Sequence, residues 1–132
     1  MGNYLLDTDI CIFLLKDKFD LKKKVSEVGI ESCFISEITV AELAYGAYKS
    51  TNYRKHIAEV EDIEKLFTIV PIYDCLKLFG EEKARLNGQG IRIPGFDLLI
   101  GTTAVRNQMI MVTNNEKHMM RINGIQLENW TK

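Results

Sequence analysis

Asp7 directly follows the short apolar run Tyr4-Leu5-Leu6, Glu42 interrupts the otherwise apolar stretch Val40-Ala41-Glu42-Leu43-Ala44, and Asp97 comes just after Pro94-Gly95. Asn114, Asn115 and Glu116 follow another apolar run, Met109 to Val112, through Thr113. Each acid alone has an ordinary structural use: Asp7 and Asp97 can cap helices, and Glu42 can face solvent. The set carries more information than its members. Three carboxylates gathered at one place, about 5 Å apart, repel by roughly 1–3 kcal/mol per pair at effective dielectrics between water and a protein surface. A shared divalent cation removes that cost. Oxygen-only ligands suit Mg²⁺ or Mn²⁺ rather than Zn²⁺. Neither histidine competes, because His56 sits in a charged segment and His118 in a polar one. Ions held by carboxylates can activate a water and stabilise the charge on a phosphodiester during in-line displacement. No Ser-His-Asp arrangement, no G-x-G-x-x-G after a strand and no P-loop offers a rival chemistry.

These residues need a scaffold that brings them together. The apolar runs Tyr4-Leu5-Leu6, Cys33-Phe34-Ile35, Phe67-Thr68-Ile69-Val70 and Met109 to Val112 read as short buried strands, with a fifth near Gln126-Leu127. Between them lie helical patterns. Thr8 or Asp9 can cap a helix through Leu15, Leu21 to Val28 is a second helix, and Ser36 is an N-cap for the helix carrying Glu42. Tyr53 to Leu66 follows, with Ile57, Val60, Ile63 and Leu66 at helical spacing. Asp74 to Leu86 is a helix closed by Asn87-Gly88-Gln89-Gly90, Asp97 opens one that runs to about Val105, and a short one passes through Met119-Met120. Strands alternating with helices indicate a parallel sheet with helices on both faces. In such sheets, sites form beyond the carboxyl ends of the strands. Asp7 and Thr113 to Glu116 stand at such ends.

The chain has 132 residues, which suits one domain spanning residues 1–132. With 46% hydrophobic and 27% charged residues it has a globular balance rather than a disordered one. A net charge of −1 argues against a nucleic-acid coat protein but not against a nuclease, whose bound cations supply positive charge locally. Cys11, Cys33 and Cys75 are odd in number, widely spaced and set among apolar neighbours, so buried free thiols and a reducing cytoplasm are expected. The start of the chain has no basic region ahead of an apolar core, which does not fit a signal peptide, and no apolar run approaches the roughly 20 residues of a membrane span.

Four segments together carry a resemblance. Leu5-Leu6-Asp7-Thr8-Asp9-Ile10-Cys11, Ser36 through Gly46, Ile93-Pro94-Gly95-Phe96-Asp97-Leu98-Leu99-Ile100-Gly101 and Val112-Thr113-Asn114-Asn115 resemble the VapC toxins of the PIN-domain ribonucleases, in family order and over essentially the whole chain. The tail Leu127-Glu128-Asn129-Trp130 is similar as well. The resemblance implies a PIN fold with four to five parallel strands flanked by helices. It also implies Mg²⁺- or Mn²⁺-dependent cleavage of RNA, with tRNA favoured, a cognate VapB-type antitoxin and a homodimer. Asp7, Glu42 and Asp97 inherit the role of metal ligands, and Asn115 falls at the family's fourth acidic position. A neutral Asn there puts a second metal in doubt; Glu116 is the alternative. Asp9 stands where many relatives have Asn and reads as a supporting residue or a cap, while Thr8, Ser36, Thr39 and Thr113 are placed to orient the carboxylates. Arg85, Arg92, Lys117 and Arg121 flank the proposed mouth as candidates for RNA phosphate contacts, with plain surface charge as the competing reading. Lys22-Lys23-Lys24 reads as a solvated helix face.

Two other functions fit parts of the pattern. A receiver-like signalling domain also clusters acids at a sheet end, but it needs an aspartate ending the third strand, where this chain has Val70-Pro71. A PIN fold that only binds RNA or protein is the other; retention of the three acids weighs against it.

Overall fold

The computed structural model describes residues 2–132. Its sheet is built from β1 (Tyr4–Leu6), β2 (Cys33–Ser36), β3 (Thr68–Val70), β4 (Ile110–Val112) and β5 (Leu127–Glu128). All four pairings are parallel, in the order β3-β2-β1-β4-β5. A parallel sheet needs crossovers, and the helices supply them. They are α1 (Thr8–Leu15), α2 (Leu21–Val28), α3 (Glu37–Tyr48), α4 (Tyr53–Leu66), α5 (Leu76–Gly88), α6 (Gly95–Arg106) and α7 (Glu116–Met119).

Successive strand residues point to opposite faces, so β1 feeds two cores. Leu6 packs with Ile10, Leu14, Leu43, Val60 and Ile63, joining α1, α3 and α4 on one face. Leu5 packs with Leu86, Leu98, Ile100, Met111 and Met119, joining α5, α6 and α7 on the other. Both leucines are fully buried. Each such side chain contributes about 1.5–3 kcal/mol of transfer free energy, which is why three-residue strands suffice. The cysteines are free and buried. Burial pushes the Cys33 thiol up to about 11 and the Cys11 thiol higher still, so both stay neutral and inert. Among the described residues, no helix is long and apolar enough to cross a membrane.

Three local expectations are corrected. The cap of α1 is neither Thr8 nor Asp9: Asp7 accepts the Thr8 N–H, and the helix starts at Thr8, two residues before its apolar pattern begins at Ile10. Asp97 does not open α6; Pro94 is the cap residue, and Asp97 is the third residue of the helix. The helix expected from Asp74 begins at Leu76 after a short 3₁₀ turn, Tyr73–Cys75, and runs through to Gly88. Its C-terminal end then bends at Gly90, whose φ of +75° is costly for any residue with a Cβ.

The strand order decides where a site can form. From β1 the chain winds outward through β2 and β3, then returns to add β4 and β5 on the other side. The crossovers leaving β1 and β4 therefore diverge, and a crevice opens at the carboxyl ends of these two neighbours.

Candidate active site

Asp7 closes β1 at this crevice, and its backbone N–H donates to the Val112 carbonyl of β4 (2.9 Å). Its side chain is 4% exposed. One carboxylate oxygen accepts the Thr8 N–H (2.8 Å), the other the hydroxyl of buried Thr113 (2.8 Å). Thr113 in turn accepts the Asn115 N–H (2.9 Å), so a single hydroxyl ties the end of β1 to the loop after β4. The helix following β1 delivers Asp9, whose Oδ2 accepts the Asn114 N–H (3.1 Å). α3 delivers Glu42, held by the Thr8 hydroxyl (2.6 Å), which also lies 3.1 Å from the hydroxyl of Thr39. Ser36 starts that helix by accepting the Ile38 N–H (3.0 Å). α6 starts with Asp97 in its first turn.

The charges of neighbouring acids are felt at Asp7 and Asp9. Burial, and then the charge of Asp9, pushes the Asp7 carboxyl up to about 7; Asp97 adds to the rise, while the Thr113 and Thr8 hydrogen bonds oppose it. Asp9 is raised by burial and by Asp97, and Asp97 by burial with His118 opposing. Asp7, Asp9 and Asp97 therefore form one electrostatic unit, to which Glu42 is joined through Thr8. Among the described residues no three His, Cys, Asp or Glu side chains are already gathered as a ligand set. The donor chemistry nonetheless fits a hard divalent cation. It is all oxygen, the Asp7 and Asp9 carboxyls are raised by burial and by neighbouring acids, and the buried Oδ1 of Asp9 has no hydrogen-bond partner. An unpartnered carboxylate oxygen inside an acidic crevice is a vacant acceptor that a cation satisfies.

The remaining expected residues separate into those near the acids and those spent elsewhere. The Asn115 side chain turns to His118 (Nδ2 to Nδ1, 3.3 Å). Glu116 is occupied by Asn129 and Lys132, whose hydrogen bonds hold its carboxyl below the usual range. Arg92, Lys117 and Arg121 are exposed around one cavity with His118. Arg85 is different: its guanidinium is committed to the buried Glu82 through two bonds (2.7 and 2.9 Å) and to the Arg121 carbonyl (2.9 Å). Two features went unread in the sequence. One is the closeness of Asp9 to the other acids, for which an acid two residues after Asp7 in the first helical turn was the available signal. The other is the Glu82–Arg85 pair, visible only as an i,i+3 spacing.

Comparison with known proteins places this geometry. A family model described as "PIN domain" matches residues 4–124. The chain is 32% identical over 133 residues to the tRNA(fMet)-specific endonuclease VapC of Shigella flexneri, covering 99% of this chain and 100% of the relative. It is 35% identical to ribonuclease VapC2 of Haemophilus influenzae over 132 residues, 98% and 99% of the two chains. A crystal structure of DNA-bound VapBC from Salmonella typhimurium contains a chain that superimposes with a TM-score of 0.92 at 30% identity, covering 98% of this chain and 99% of that one.

Proposed function

The chain belongs to the PIN-domain family, among the VapC ribonucleases, and from that premise we propose that it is a toxin whose Mg²⁺- or Mn²⁺-dependent endoribonuclease activity cuts RNA in the cytoplasm. We further propose tRNA as the favoured substrate, inhibition of translation as the outcome and neutralisation by a VapB-type antitoxin. The observation that carries the reading is the buried Asp7, coupled to Asp9 and Asp97 at the crevice between β1 and β4. The similarity to a tRNA(fMet)-specific endonuclease and to a chain of a solved VapBC structure supports the substrate and the partner.

Asp7, Glu42 and Asp97 are the residues to hold the cation, with the free oxygen of Asp9 facing the same unit of charge. When bound, such an ion lowers the pKa of a water and offsets charge on the phosphodiester. The chain's own part is positioning. Thr113 and the Thr8 N–H fix both oxygens of Asp7, and the Thr8 hydroxyl fixes Glu42. Holding acids in place beforehand means no reorganisation is needed as charge develops. The reaction is hydrolysis: the oxygen of water bonds to phosphorus, the bond to the 3′-oxygen breaks, and that oxygen leaves as a hydroxyl.

Incubation of purified cellular RNA, total and tRNA fractions, with and without Mg²⁺ or Mn²⁺, tests the proposal. Discrete metal-dependent products are expected from wild type and none from Asp97→Asn, and mapping their ends identifies the substrate. A folded Asp97→Asn protein with full activity overturns the assignment. The rival is a PIN fold that binds RNA without cutting it, on which reading the acids hold a cation that serves RNA binding alone. Measurable metal binding by the antitoxin-free protein, with no cleavage of either RNA fraction, decides for that reading.

A further inference from the structure

The turn leading into α6 and the segment 117–121 enclose a cavity of about 290 Å³ whose wall includes Ile91, Arg92, Lys117, His118 and Arg121. It adjoins the acids: His118 contacts Asn115, and its charge is felt at Asp97. None of Arg92, Lys117 and Arg121 has a carboxylate within 4 Å among the described residues, whereas Arg85 nearby is neutralised by Glu82. Three unneutralised cations converging from two segments are unexpected in a chain of net charge −1.

The backbone beneath them is braced. Buried Glu82 accepts the Asn123 N–H (3.0 Å) while pairing with Arg85, and Arg85 donates to the Arg121 carbonyl. Met119 and Ile122 anchor the other side of the segment, 0% and 2% exposed. The heads of Lys117 and Arg121 are thus free while the chain that carries them is fixed, and the Ile91 N–H beside Arg92 donates to the Leu86 carbonyl (2.9 Å), an arrangement that binds an anion at small ordering cost. The other cavity beside the acids also carries two cations, Lys16 and Lys55, but it sets them beside the carboxylates of Glu42 and Glu59, and its His56 is already paired with Glu59. An anionic strand is drawn to the first.

Resting on the ribonuclease reading, we propose that this cavity is the subsite that holds backbone phosphates of the RNA strand next to the scissile bond, so that Arg92, Lys117 and Arg121 set the register of the strand against Asp97. Its size suits about one nucleotide. The acids repel RNA and the cavity attracts it, so the strand is held beside the carboxylates instead of being excluded by them.

The test is fluorescence anisotropy of a labelled single-stranded RNA oligonucleotide in EDTA, at a series of salt concentrations. Arg92→Ala/Arg121→Ala is expected to weaken binding about tenfold or more and to reduce the slope of log K against log salt by about 1.4, at about 0.7 per lost cation. Arg92→Lys/Arg121→Lys keeps the slope. Lys22→Ala/Lys23→Ala removes equal charge from α2, in the other core, and leaves affinity within about twofold. An alanine variant with an unchanged slope, or an α2 variant with the same loss, overturns the subsite. Wild-type cleavage with Mn²⁺, run alongside, separates the two ideas. Cleavage with an unaltered slope removes the subsite and leaves the nuclease; a reduced slope without cleavage does the reverse.

Discussion

Burial and the charges of Asp9 and Asp97 move the Asp7 carboxyl from about 3.9 in an unfolded chain to about 7 in the fold. Between those values the folded state holds more protons than the unfolded one. Stability of the metal-free protein therefore falls as pH rises from about 4 to 7 and levels off above, by up to about 4 kcal/mol from this group. Urea melts in EDTA are expected to show that loss, and Asp7→Asn to remove most of it; the raised Asp9 and Asp97 carboxyls leave a smaller slope of the same sign. An Asp7→Asn protein as pH-sensitive as wild type contradicts the burial argument. Added Mg²⁺ binds the ionised form, so the Tm rise it causes should grow between pH 5.5 and 8. The acids themselves were legible as residue types after apolar runs. Their individual environments were not: whether a carboxylate is buried, capped or left with a free oxygen depends on partners far along the chain, such as Thr8 for Glu42 and Thr113 for Asp7, 34 and 106 positions away.

Helix and strand positions were legible because their signals are local. Tyr53–Leu66 follows its apolar spacing to the residue, and Ser36 caps α3 as a serine before a helix should. The ends of α1 and α6 were misread because a cap is decided by backbone geometry and by which N–H needs an acceptor, not by where the apolar face begins. Packing between elements was illegible altogether, and glycines show it. A Cβ at Gly101 of α6 would come within 2.4 Å of the Ile122 Cδ1, and Ile122 is too buried to swing away. Gly80 in α5 has open space around it. Gly80→Ala is expected to stabilise by up to about 1 kcal/mol from helix propensity alone. Gly101→Ala gains the same propensity but overpacks, for a net loss of about 1–2 kcal/mol. Thermal melts giving both substitutions the same sign would show that Ile122 yields. Because Ile122 also anchors the segment bearing Arg121, Gly101→Ala should weaken RNA binding beyond its effect on folding.

The whole molecule hides its apolar residues unevenly. Two cores absorb the strands, yet Tyr45 and Tyr48 on α3 remain 69% and 62% exposed, and Tyr53 at the start of α4 is 43% exposed. The Tyr48 and Tyr53 rings stand 6.1 Å apart, and Lys49 lies over Tyr45. Aromatic side chains grouped on a surface lose free energy to water that an interface recovers, and such groups are enriched where proteins meet. The expected homodimer would bury this cluster. Sedimentation over a hundredfold concentration range should show a dimer dissociating on dilution, and Tyr45→Glu/Tyr48→Glu should stay monomeric with an unchanged Tm at low concentration. A wild type that is monomeric throughout removes the dimer, and a variant that associates as wild type does moves the interface to another face. α3 carries Glu42 as well as the tyrosines, so an interface on this helix would also govern how RNA approaches the acids. The tyrosine variant should then change the KM for RNA more than kcat, since neither tyrosine is a partner in the hydrogen bonds that hold Asp7, Thr8 and Thr113.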